Sequence, residues 1–96
     1  MKLIVRRLAR RDIAEAVRWY RTRSEDVARV FLDALEGRLK AIERTPERFP
    51  IVHADVRRAL LGRFPYGLYF REVGQELRII ACTHLRRHPR RWQRRR

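Results

Sequence analysis

The apolar residues of this chain change period along its length, and that change limits the folds open to it. Leu3-Ile4-Val5 is a short β-branched run between basic residues and predicts a first strand. From Leu8 the spacing becomes helical. Ala9, Ile13, Ala16, Val17 and Tyr20 share one face, and Arg10, Arg11, Glu15, Arg18 and Arg21 occupy the others. Thr22-Arg23-Ser24 interrupts the pattern. Ser24 is a candidate N-cap, followed by Glu25 and Asp26 where the helix dipole favours negative charge. The second helix is expected to run to about Arg44 and to bury Ala28, Phe31, Leu32, Leu35, Leu39 and Ile42. Gly37 in its middle costs roughly 1 kcal/mol relative to alanine, which points to close packing against the first helix. Pro46 stops the helix and pushes Thr45 out of the helical region.

Beyond Pro46 the pattern is that of strands. Residues 46–56 read as one sizeable loop, with Phe49 and Ile51 tucked beneath a sheet. Strands are expected at 58–62, 67–73 and 77–84. Val73-Gly74-Gln75-Glu76 has the length and glycine of a hairpin turn. Pro65 cannot donate to a ladder and belongs at a strand entrance or bulge. The last strand is apolar on both faces, so it is expected to be central and covered. The order strand, helix, helix, strand, strand, strand defines an α+β fold: a helical hairpin packed on one face of a small, mostly antiparallel sheet. The opposite face, with no helix to cover it, becomes the expected concave and basic binding surface.

Ninety-six residues make one domain, read as 1–92 with a basic C-terminal tail at 93–96. Its core is modest, and a partner or dimer interface would add stability. Lys+Arg total 25 against 11 Asp+Glu, a net charge of +14 carried almost wholly by arginine. Arg-rich codon usage accounts for part of this. A surplus of this size still implies polyanionic company, nucleic acid or an acidic protein segment. Seven arginines fall within residues 86–96, a block expected to stay mobile and solvated. The single cysteine, Cys82, excludes an internal disulfide and reads as a small buried residue in a reducing compartment. No segment has the length of a membrane span, and the short apolar run at the N-terminus is too brief for a signal peptide. The expected location is cytoplasmic, with no membrane contact.

Several chemistries lack their residues. His53, His84 and His88 show no metal-ligand spacing with each other or with Cys82, so no metal is expected. Four scattered glycines make no phosphate loop, and no cofactor is expected. Ser24 is the only serine and is explained as a cap; Glu72 and Glu76 flank a turn and read as solvated. What remains is a basic site containing His84, Tyr66, Tyr69 and arginines. An RNA-cleaving centre needs a base for the 2′-hydroxyl, cations for the phosphate and an acid for the leaving oxygen. His84 could be acid or base. Arg58, Arg63, Arg71 and Arg78 could line the same face, or simply occupy the solvent side of alternating strands. A lone histidine at a strand end is more often structural, and Tyr66 beside Phe64-Pro65 more often anchors a core. Trp92 can stack a base or pin the tail to the sheet, and pinning is the favoured reading.

Asp12-Ile13-x-Glu15-Ala16-x-x-Trp19-Tyr20 is followed by Ala28 with Phe31 and Leu35, then by Ile42 with Pro46 and Pro50. Arg58 with Phe64-Pro65-Tyr66 comes next, then His84-x-x-Arg87-x-Pro89-x-x-Trp92. Together these resemble the RelE/ParE superfamily of type II toxin–antitoxin toxins, and most of all its ParE-like, plasmid stabilisation branch. The resemblance implies a small toxin neutralised by a cognate antitoxin, in a hetero-oligomer. The antitoxin's acidic, initially disordered C-terminal segment would fold on the toxin, and its other end would bring the complex to operator DNA. ParE-like members poison DNA gyrase and are not known for nuclease chemistry. RelE-like members cut mRNA on the ribosome with Lys, Arg and Tyr or His on the concave sheet face. The absence of lysine from the loop and second strand favours the former; the basic C-terminal end keeps the latter open. The expectation is therefore a gyrase-inhibiting toxin that causes growth arrest. The alternatives are a ribosome-dependent mRNA endoribonuclease using His84, Arg58 and Arg63, or a non-toxic basic nucleic-acid-binding module; whether the chain is an enzyme stays open. By resemblance, Arg58, Arg63, His84 and Arg87 carry toxicity, as binders more than catalysts. The full expected target-binding set is Arg58, Arg63, Tyr66, Arg71, Arg78, His84, Arg87 and Trp92.

Overall fold

Alternating burial explains how the strands assemble. A computed structural model describes all 96 residues. It runs β1 (Lys2–Val5), α1 (Arg7–Arg21), α2 (Glu25–Arg44), a single 3₁₀ turn (Pro46–Arg48), β2 (Ile51–His53), β3 (Val56–Leu60), β4 (Tyr66–Val73), β5 (Glu76–His84) and α3 (Arg90–Gln93). One sheet has the order β1-β5-β4-β3-β2. β1 lies parallel to β5 and every other pair is antiparallel. The α+β architecture read from the sequence is the one observed. β5 is interior, as its two apolar faces require.

α1 and α2 form a hairpin on one face. Ser24 caps α2 by accepting the Val27 N–H at 3.3 Å, which satisfies one of the orphan donors of the first turn. Between hairpin and sheet lie Phe31, Ile42, Leu68, Phe70, Leu77 and Ile79, all fully buried. Burying them is the main source of stability, at about 25 cal/mol per Å² of apolar surface. An aromatic knot closes one end: Phe31 meets Phe64 at 5.2 Å and Tyr66 at 5.5 Å, and Tyr20 meets Phe64 at 5.2 Å.

Several expectations are corrected by the structure. The loop at 46–56 contains a strand, β2, hairpinned to β3 through Ala54 at φ 51°. Phe49 does tuck in, 5.9 Å from Phe70, but Ile51 is exposed, because a three-residue edge strand has only one covered side. Leu32 is also exposed, at the margin of the α2 face. A Cβ at Gly37 would meet nothing within 4 Å, so this glycine marks no close helix contact.

The second face of the sheet and the tail also depart from expectation. A register shift beside Tyr69 leaves Ile80 as an extra residue, because Tyr69 opposes Ala81 and Phe70 opposes Ile79. Ile80 and Ala81 therefore both face away from the hairpin, as a β-bulge permits. With Val56 and Tyr69 they form a second cluster, and Trp92 of α3 roofs it. Trp92 stacks on Tyr69 with ring centroids 4.2 Å apart and an interplanar angle of 16°. The second face is thus partly covered, and Trp92 is the pin. The end of the arginine block is held too. Arg95 pairs with Asp12 and donates to the Ile80 carbonyl at 3.1 Å, and Arg96 pairs with Asp55 at 2.9 Å.

Candidate functional site

The eight side chains expected to bind a target separate into three places, and strand parity is the reason. Arg58 opposes Tyr69, and Arg71 opposes Arg78, so these point to the second face with Trp92. Gly67 lets Arg58 lie flat across β4: a Cβ there would stand 3.2 Å from the Arg58 Cδ. The Arg58 Nε and the Thr83 hydroxyl are buried without a partner on that same face. Arg71 donates twice to Asp55, at 3.0 and 2.9 Å, and once to the Arg96 carbonyl at 3.2 Å. Those hydrogen bonds, Arg71's first, hold the Asp55 carboxyl below its usual range. Arg78 is paired with Glu76 at 2.8 Å. Trp92 is only 6% exposed. Most of this group is occupied with the fold itself.

Tyr66 and His84 lie on the other side, against the hairpin. They oppose each other across β4 and β5, with ring centroids 5.3 Å apart. Arg87 joins them in a pocket of about 200 Å³ walled by Glu15 and Trp19 of α1 and by Arg91. The expectation of one shared basic face is therefore corrected: His84 and Arg58 are on opposite faces. The His84 Nδ1 accepts the Arg86 N–H at 3.1 Å, which fixes the ring and leaves Nε2 as the other nitrogen. Burial pushes the Tyr66 phenol above its ordinary value of 10.0, helped by Cys82 and Glu15 and opposed by Arg87. Tyr66 is thus a neutral hydrogen-bonding group at physiological pH. Arg91 sits 3.8 Å from Glu15, a loose surface pair. Trp19 is half exposed and carries the Arg23 guanidinium 3.5 Å over its ring. The pocket offers aromatic walls, two carboxylates and two cations, which suits recognition of a polar side chain or terminus.

Arg63 stands apart from both groups. It is exposed in the turn between β3 and β4, beside Asp33 and Arg38 of α2.

Three residues of the pocket and its floor entered the sequence reading as marks of the family resemblance and not as site residues. Glu15 and Trp19 stand four apart on α1, and that spacing is legible as a shared helical face. Asp12 was not: it is a buried carboxylate on an apolar helix face, and its role depends on distant partners. It accepts the Cys82 N–H at 3.0 Å as well as Arg95. These contacts cap the edge of β5 beyond the end of β1, where backbone groups would otherwise be unpaired. Burial pushes the Cys82 thiol up to about 12, and the Asp12 charge adds to it, so Cys82 is a neutral thiol and no nucleophile. No three His, Cys, Asp or Glu side chains come together in a way that could hold a metal.

The helical hairpin on a five-stranded mixed sheet is the architecture of the small RelE/ParE-type toxins. Family comparison makes this specific: residues 3–92 match the ParE toxin of type II toxin–antitoxin systems, parDE, and the chain belongs to that family. Such a toxin implies an antitoxin partner. Among solved structures, a chain of the chromosomal ParDE TA system from P. aeruginosa has the same fold. Its TM-score is 0.78 at 22% identity, over 88% of this chain and 95% of that one. A comparison with curated proteins finds no match. No helix is long and apolar enough to cross a membrane.

Proposed function

We propose that this type II toxin acts in the cytoplasm by binding DNA gyrase, and that a cognate antitoxin holds it inactive through an acidic C-terminal segment. The observation that carries the binding reading is the dispersal of the basic and aromatic residues. A ribonuclease built on His84, Arg58 and Arg63 needs all three around one phosphate. Here they occupy two faces of a sheet and a separate turn, and Arg71 and Arg78 are paired with Asp55 and Glu76. Docking on a protein surface needs no such convergence.

The antitoxin reading draws on charge and on exposed apolar side chains. The chain carries +14, which attracts an acidic segment. Trp19 near the end of α1, and Val27 and Val30 near the start of α2, leave apolar surface where the hairpin turns. A disordered segment folding on this chain needs such anchors to offset its ordering entropy. Through the antitoxin's other end the complex would reach operator DNA.

The test is induced expression of the chain alone in a bacterial host, with growth, DNA integrity and mRNA followed together. Arrest with DNA breaks and intact mRNA is the expected result. Arrest with mRNA cut within codons would replace gyrase by the ribosome. Normal growth with soluble chain present would overturn the toxic mechanism altogether.

A further inference from the structure

The hairpin's other end carries a basic surface of which the toxin reading uses only Arg87. Arg87, His88, Arg90, Arg91 and Arg94 line an open groove with Leu8 as its one apolar member. Arg94, Arg95 and Leu8 also line the adjoining depression, which adds Arg6 and Arg7. The two are therefore one continuous surface, made by the first turn of α1 and the segment around α3. Its two carboxylate neighbours are accounted for: Asp12 pairs with Arg95 and Glu15 with Arg91. Arg6, Arg7, Arg87, Arg90 and Arg94 pair with no carboxylate.

This arrangement is costly in the free chain. Like charges crowd one surface, and α1 starts on arginine with no acidic residue in its first turn, against its dipole. An anion placed in the groove reverses both penalties. The geometry points to the phosphate backbone of duplex DNA as that anion, contacted directly by this chain and without base readout. Two alternatives fit less well. An acidic peptide that folds on binding needs apolar anchors, and the surface offers Leu8 and the nearly buried Ile80 alone. A single strand needs aromatic platforms for its bases. The nearest candidate, Trp92, lies beneath the segment, stacked on Tyr69.

Arginine forks matched to phosphate oxygens make contacts that release counterions, so binding weakens with salt in proportion to their number. The experiment is fluorescence anisotropy of the purified full chain with a labelled duplex, titrated across about 50 to 250 mM salt. Arg7→Gln, Arg90→Gln and Arg94→Gln are combined in one variant. Arg18→Gln, Arg29→Gln and Arg48→Gln, exposed elsewhere, are combined in another with the same net charge. Circular dichroism confirms that both fold.

The groove variant is expected to flatten the slope of log affinity against log salt by about 0.9 per lost contact, so by roughly 2 to 3, while the control changes it little. Equal flattening in both variants would reduce the effect to net charge and overturn the assignment. Displacement of the duplex by poly-glutamate at equal charge would overturn it in favour of an acidic polypeptide. Tighter binding of the single strand than of the duplex would overturn the duplex form of it. The readout uses neither growth nor gyrase, so its failure is separable from that of the proposed toxic mechanism.

Discussion

At the scale of single residues, the most consequential side chain is Asp12. It is a buried carboxylate that holds the Arg95 guanidinium and the Cys82 N–H at once. Removing one member of a buried pair leaves the other uncompensated. Asp12→Ala should therefore destabilise the chain by about 3 to 5 kcal/mol, read as a lower urea midpoint. Adding Arg95→Ala should restore part of the loss, because the stranded cation is then gone. Cys82 supplies a pH signature. Its thiol titrates near 12 in the fold against an ordinary 9.0, so between these values the unfolded chain has lost the proton and the folded chain has kept it. Stability from this group is then fully present below about pH 9 and declines as pH rises toward 12. Thermal unfolding followed from pH 8 to 10 should show the onset of that decline, and Cys82→Ala should remove the share that this thiol contributes.

At the scale of elements, α2 and α3 behave in opposite ways. Gly37 is exposed, mid-helix and free of close neighbours, so it costs helix propensity without serving a contact. Gly37→Ala should stabilise by about 1 kcal/mol in urea unfolding. An unchanged or lower midpoint would mean that the position carries some other constraint. α3 is four residues long and cannot be stable by itself. It exists because Trp92 is buried against Tyr69 and because Arg95 and Arg96 find Asp12 and Asp55. Trp92→Ala should cost about 3 to 5 kcal/mol and expose Val56, Ile80 and Ala81. Faster hydrogen exchange along β4 and β5 would report that exposure.

At the scale of the molecule, charge and stability are coupled. A net +14 on 96 residues repels itself, and the arginines around α3 concentrate that repulsion. Raising salt from about 10 to 150 mM shortens the Debye length from roughly 30 to 8 Å. The melting temperature should rise over that range before it levels off, the reverse of a protein held by surface ion pairs. A fall would mean that the pairs of Asp55 and Glu76 outweigh the repulsion.

The sequence by itself determined the α+β class, the hairpin with its Ser24 cap, the interior position of β5 and the family. These follow from local periods, caps and tags, which neighbouring residues decide among themselves. It also identified Trp92 as a pin, since a tryptophan among arginines has few other apolar refuges. The division of the basic residues was decided only by the tertiary structure. One extra residue at Ile80 changes which side chains share a face, and the hairpin rather than open solvent receives Tyr66 and His84. The docking of the arginine block was likewise hidden. Its partners, Asp12 and Asp55, lie 83 and 41 residues away, and no local pattern encodes a contact between charges so far apart in the chain.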